Sequence, residues 1–205
     1  MTYQDHIENV LSEFHIKEIT SERPSLEDIQ SYCQKIALNN DNHPNLMDSI
    51  NGVIYENDIN SPILKVMIYA TGVTLFQLSF ARIIPAENIK NAIYLFESAI
   101  KIDNRYFQAY NRLGDCWMMI EDGFSEAISY YKASLKYNHD IFNTDDAFIG
   151  DNYLKIGLCL LTASRKNDAI IFIKEAKNIV NDKYKGYQEI GFESWNDVFQ
   201  FVENK

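Results

Sequence analysis

A chain of 205 residues, 46% of them hydrophobic, fits one large domain, or one domain plus a small extension, with a real core, and its 8 glycines and 4 prolines are too few for a turn-rich β-sandwich. The net charge of -10, with a pI near 4.8, has the wrong sign for neutralising phosphates, which argues against nucleic acid and against an anionic membrane surface. Three cysteines (Cys33, Cys116 and Cys159), none at C-x-x-C spacing, argue against a disulfide framework or a zinc site and point to a reducing cytoplasm. The acidity reads as a solubility device or as a field that steers in a basic partner.

The first residues, Met-Thr-Tyr-Gln-Asp-His, have neither the basic nor the apolar region of a signal peptide. Ile7, Val10, Leu11 and Phe14 then follow the i, i+3, i+4, i+7 spacing of an amphipathic helix over residues 3–14. Ser21-Glu22-Arg23-Pro24 breaks it. Ser25 opens a second helix, with Glu27 and Asp28 in its first turn and Ile29, Tyr32, Cys33 and Ile36 on its apolar face. Asn39 to Pro44 is a loop by composition, and a short helix through Leu46, Ile50 and Val53 follows it. Glu56-Asn57-Asp58 is a second break.

Ser61-Pro62 reads as an N-cap followed by the first helical position, opening a long helix to about Ile83. Pro62 to Ile84 is the one stretch to weigh as a membrane span. Only 16 residues separate Lys65 from Arg82, short of the roughly 20 apolar residues a bilayer needs. Because its apolar residues lie all round, a core helix covered on both faces is expected instead. Pro85-Ala86-Glu87 starts the next helix, and from there the punctuation becomes periodic.

Two first-helix segments share one pattern, Tyr110-x2-Leu113-Gly114-x2-Trp117 and Tyr153-x2-Ile156-Gly157-x2-Leu160. Three second-helix segments share another. Ala92 is followed by Phe96, Ala99 and Asn104; Ala127 by Tyr131, Ser134 and His139; Ala169 by Ile173, Ala176 and Asn181. Gly157 to Ala169 is 12 residues and Gly114 to Ala127 is 13, the extra one falling in the Glu121-Asp122-Gly123 turn. A mid-helix glycine costs about 1 kcal/mol against alanine, so its recurrence at one phase implies close packing against a partner helix. Cys116 and Cys159 recur two residues after those glycines, as buried, inert thiols would.

These segments resemble the tetratricopeptide repeat (TPR), a helix-turn-helix unit of about 34 residues. The resemblance covers residues 86–181 well and extends in degenerate form back to 61. The repeat's usual proline is replaced by Asn104, His139 and Asn181. The connection between the second and third repeats is about eight residues longer than the family's. The helix before Ala92 lacks the Leu-Gly pair.

By resemblance the fold is all-α: a TPR-like α-solenoid of about nine to eleven helices in antiparallel pairs. Residues 1–60 form an irregular N-terminal helical region, and residues 61–205 hold the repeats and a C-terminal capping helix, on one continuous core. Ser194 opens the capping helix, and Trp195, Val198, Phe199 and Val202 form its apolar face. A partner contact is the other reading of Trp195.

The family binds protein ligands along the groove of its first helices. The corresponding positions are Gln108, Asn111, Asp115, Met118 and Met119 in the second repeat and Asp151, Leu154, Leu158 and Leu161 in the third. The second set is apolar enough to expect the C-terminal helix over it. Asp115, Leu154 and Leu158 are wrong for clamping a chaperone's terminal carboxylate.

Catalytic patterns are missing from the sequence. His6, His15, His43 and His139 are scattered, with no H-E-x-x-H, phosphate loop or G-x-S-x-G. No enzyme activity, metal or cofactor is expected. Asp140, Asp145, Asp146 and Asp151 cluster in the long connection, without the spacing or central glycine of a calcium loop. They read as a solvated loop or as a docking strip for a basic protein. The expected function is therefore a cytoplasmic protein-protein interaction module, an adaptor or scaffold. The alternatives are an acidic immunity or antitoxin-type protein that neutralises a basic toxin, and a secretion-type chaperone.

Overall fold

A computed structural model describes residues 2–16, 19, 22–142, 146–180, 186–188 and 190–205, with the backbone alone for 139–142. Ten α-helices and no strand occur among the described residues, so the chain is all-α. In chain order they are α1 (Tyr3–Ser12), α2 (Leu26–Asn39), α3 (Pro44–Ile54), α4 (Pro62–Phe80), α5 (Ile89–Ile102), α6 (Phe107–Met118), α7 (Phe124–Phe142), α8 (Asp146–Thr162), α9 (Lys166–Val180) and α10 (Trp195–Glu203). Short 3₁₀ turns occupy Ala86–Asn88 and Gly186–Gln188.

Local chemistry sets the helix starts. The Thr2 and Ser25 hydroxyls accept from the backbone N–H groups of Asp5 and Asp28, whose carboxylates accept in return from the cap N–H groups. Ser61 caps α4 with Pro62 at its first position, and Ser194 caps α10. Arg82 (φ 56) and Asp122 (φ 59) take the left-handed backbone that ends α4 and turns the chain after α6.

The chain divides into two compact units. The central unit, Glu18–Cys116, holds α2 to α5 and most of α6. Ile29 and Cys33 of α2, Leu46 and Ile50 of α3, Leu64, Ile68 and Leu75 of α4, and Leu95 and Phe96 of α5 are fully buried. Gly72 of α4 lets the Phe96 ring in: a Cβ there would lie 2.8 Å from Phe96 Cε1. Tyr32 stacks on Tyr94 with centroids 3.8 Å apart and donates to Asn91, which joins α2 to α5. The sequence boundary at 60/61 falls inside this unit, between α3 and α4, which pack together. Burial pushes the Cys33 thiol up to about 12 and Cys116 well above its ordinary value, so neither is poised as a nucleophile.

The terminal unit combines Met1–Lys17 with Trp117–Lys205. Ile7 and Val10 of α1 share a core with Ala127, Ile128 and Tyr131 of α7, Ile156 and Leu160 of α8, and Phe172 of α9. A second cluster joins Leu154, Ile173, Ala176 and Val180 to Trp195, Val198 and Val202 of α10, with Leu158 and Leu161 packed against it. α10 packs chiefly on α9 and shares this cluster with Leu154, Leu158 and Leu161 of α8. Trp195 is buried and meets Tyr187 edge to face at 5.3 Å, which removes it as an open partner contact.

Where it is described, the long loop expected before Asp151 is helical. α7 runs on to Phe142 and α8 begins at Asp146, so the extra residues lengthen both helices. Gly150 explains the extension on the α8 side. A Cβ there would lie 2.1 Å from Val180 Cγ1, so only glycine lets the added turns of α8 lie this close to α9.

Polar contacts fasten α1 to the terminal unit. Asp168 sits between His6 Nε2 at 2.8 Å and Arg165 Nε at 2.7 Å. Arg165 also holds both carboxylate oxygens of Glu13. Lys132 Nζ donates to the Leu11 and Phe14 carbonyls at 2.7 Å each, a cation at the helix C-terminus. Burial works against the Asp168 carboxylate, but its bonds to Arg165 and His6 prevail and hold it below the ordinary 3.8. A depressed folded value gives stability that is present above the unfolded value and lost as pH falls through the folded one. Asp168→Ala is expected to cost about 1–3 kcal/mol and to expose α1 to limited proteolysis at neutral pH. The wild type loses this protection only below about pH 4. Equal cleavage of the two proteins would sink the assignment.

Candidate partner-binding row

The central unit carries a row of polar and aromatic side chains along α4, the turn after α5, and α6. Lys65 of α4 reaches Asp103 Oδ2 at 2.5 Å and lies 4.7 Å above the Tyr106 ring centroid. The Tyr106 and Tyr69 centroids are 5.1 Å apart. Arg112 of α6 donates a hydrogen bond to Tyr69 and pairs with Asp115 Oδ2 at 2.7 Å, one helical turn along.

The electrostatics follow from partial burial. Desolvation opposes the Asp103 carboxylate, but the Lys65 ammonium, the Arg105 backbone N–H and the nearby charges win and hold it low. The Tyr106 hydroxyl is pushed up to about 12, by burial first and then by Tyr69 and Asp103, so it stays protonated and able to donate. Arg112 is desolvated, yet Asp115 and Tyr69 raise it above its usual value. Two cations and two carboxylates alternate with two rings, so the row is close to neutral. The Lys65 and Arg112 side chains are part-exposed, which lets them offer N–H donors beside aromatic faces to a peptide's carbonyls or carboxylates.

The predicted groove residues divide. Gln108 is half-buried, whereas Asn111 and Asp115 are buried rather than open to a groove. Asp115 faces Arg112, three residues back, and that neighbour was legible in the sequence as an i, i+3 ion pair. Met118 and Met119, 37% and 41% exposed, belong to the terminal unit, where Met118 Sδ accepts from the Tyr131 hydroxyl.

The predicted acidic strip divides too. Asp146 is exposed at the first turn of α8. Asp151 is buried in α8 and pairs with Lys155 Nζ at 2.8 Å, both side chains under 10% exposed, so its charge is neutralised rather than displayed. Asp145 and the residue aligned with the repeat proline, Asn181, lie outside the described residues, as do the side chains of Asp140 and His139.

Lys65, Tyr69, Asp103 and Tyr106 were not singled out from the sequence, because their meeting depends on how α4, α5 and α6 pack. A usable signal existed at Gly72. Ile68-x2-Thr71-Gly72-x2-Leu75 repeats the first-helix phase, with all four residues buried, but Gly72 stands 20 residues before Ala92 instead of 12. The eight extra residues hold the turn after α4 and the 3₁₀ segment. No protein-family model, curated protein or solved structure matches this chain.

Proposed function

We propose that the chain is a protein-interaction module, an adaptor or scaffold built as a TPR-like solenoid of antiparallel helix pairs, and that a partner segment lies along the row of the central unit. The observation that carries the reading is the recurrent glycine contact. Gly72 receives Phe96, and Gly157 receives Ile173, whose Cγ1 would sit 2.7 Å from an added Cβ. Phe96 and Ile173 hold the same place after Ala92 and Ala169. Gly150 meets Val180 and Gly157 meets Ile173, so α8 descends as α9 rises. The row on α4 and α6 then occupies first helices, the elements that line the groove in proteins of this resemblance.

The test is affinity capture from native lysate at low and high salt, with wild type beside Lys65→Ala, Tyr106→Ala and, as a control, Leu38→Ala at an exposed α2 position. We expect partners held at both salts by wild type and the control, with roughly tenfold less recovered by the two row variants. Circular dichroism checks that the variants remain folded. Capture indifferent to both row variants would overturn the assignment of the surface. A single basic protein released at high salt would transfer the function to the immunity-type reading.

A further inference from the structure

The outward face of α4 carries a largely apolar seam, exposed at Ile63, Val66, Gln77 and Phe80 and half-buried at Ala70 and Val73 between them. Ile63, Val66, Ala70, Val73, Gln77 and Phe80 succeed one another at alternating steps of three and four, the spacing by which two helices pack side by side. Ile63, Val66 and Phe80 are 57%, 52% and 56% exposed, while Leu64, Ile68 and Leu75 on the inner face are fully buried. The sequence expectation that both faces of α4 are covered is therefore corrected. α4 is long and apolar enough to cross a membrane by length and composition. Its inner face, however, is already committed to α5 and α3, so insertion would dismantle the unit's core.

We propose that the seam is the two-fold interface of a homodimer, with α4 lying antiparallel against α4 of a second copy. The seam is complementary to itself in that direction. Ile63 falls opposite Phe80, Val66 opposite Gln77, and Ala70 opposite Val73, so the smallest pair lies at the axis, where the helices approach most closely. Charge fits the same arrangement. Arg82 is exposed at the C-terminal end of α4, and Asp58 is exposed just before its N-terminal end. Antiparallel pairing sets Arg82, just past the C-terminal end of α4, at the N-terminal end of the second copy's α4, the end that Asp58 precedes. A parallel pair would set like charges together.

The background charge points to the same occupant. In a chain with 29 acidic residues, none lies between Asp58 and Glu87. The seam thus escapes the repulsion that two copies at net charge -10 otherwise meet, and it offers a basic partner no carboxylate. The seam shares no residue with the row of Lys65, Tyr69 and Tyr106, which borders it on α4.

Sedimentation equilibrium of the full chain over a range of concentrations tests this. We expect a reversible monomer-dimer equilibrium that Val66→Glu weakens by roughly tenfold or more, with an unchanged far-ultraviolet spectrum, because Val66 is a surface residue. Arg82→Asp and Asp58→Arg should each weaken the dimer, and the double variant should recover it, which separates a salt bridge between copies from a folding defect. A monomer at every concentration would overturn the proposal. So would a dimer indifferent to Val66→Glu, or a monomer that binds neutral phosphatidylcholine vesicles through Val66, which would assign the seam to lipid.

Discussion

Lys155→Met is expected to lower the unfolding free energy by about 3–5 kcal/mol, with an unchanged denaturant slope in urea. Lys155 Nζ lies 2.8 Å from Asp151 Oδ2, with the two side chains 4% and 9% exposed. Methionine fills much of the same volume, so the loss is electrostatic rather than a cavity: the buried Asp151 carboxylate loses the ammonium 2.8 Å from it. Lys155 also lies 5.8 Å from the Tyr131 ring centroid, which couples α8 to α7. Pairing the change with Asp151→Leu should restore most of the stability, because two apolar side chains in place of a buried ion pair are often neutral. A single-variant loss below about 1 kcal/mol is the range of a surface pair, and would mean that solvent reaches the site. Asp151 was a candidate contact for a basic partner, and its neutralisation is expected to act on stability before it acts on affinity.

The second large effect tests the close approach of α4 and α5. Phe96→Ala removes a fully buried ring and should cost about 3–5 kcal/mol. Gly72→Ala gains about 1 kcal/mol of helix propensity but puts a Cβ 2.8 Å from Phe96 Cε1 and 3.1 Å from two further ring carbons. The ring is locked in the core, so overpacking of about 1–3 kcal/mol outweighs the gain. In the double variant the ring is gone and the added methyl has room. Its loss should therefore fall short of the sum by about 1 kcal/mol or more, measured by denaturation of all four proteins. Strict additivity would mean that Gly72 is not held by Phe96, and the resemblance of α4–α5 to α8–α9 would lose its physical basis.

The site was only partly legible. Asp151 and Lys155 stand four apart and Arg112 and Asp115 three apart, spacings that could be paired in the sequence once both lie on helices. The sequence alone puts Asp151 in a loop, because the long connection hides the start of α8 at Asp146. The turns added to that helix depend on Gly150 accepting Val180 from α9, 30 residues away, and no local pattern reports such a contact. The Gly72 signal is masked for a similar reason, since eight inserted residues break the count to Ala92 while leaving the helix packing intact.

Local chemistry settled the all-helical class. Scarce glycine and proline, apolar residues at helical spacing, and capping side chains such as Ser25, Ser61 and Ser194 each act within a few residues, so they can be read in line. The affiliation of α1 with α7, α8 and α9, the meeting of Lys65 with Tyr106, the burial of Asp115 and Asp151, and the open face of α4 were decided only in the tertiary structure. An amphipathic pattern says that a face will be buried but not what will bury it. A helix that is apolar all round, as α4 is, does not even say which of its faces is left for a partner.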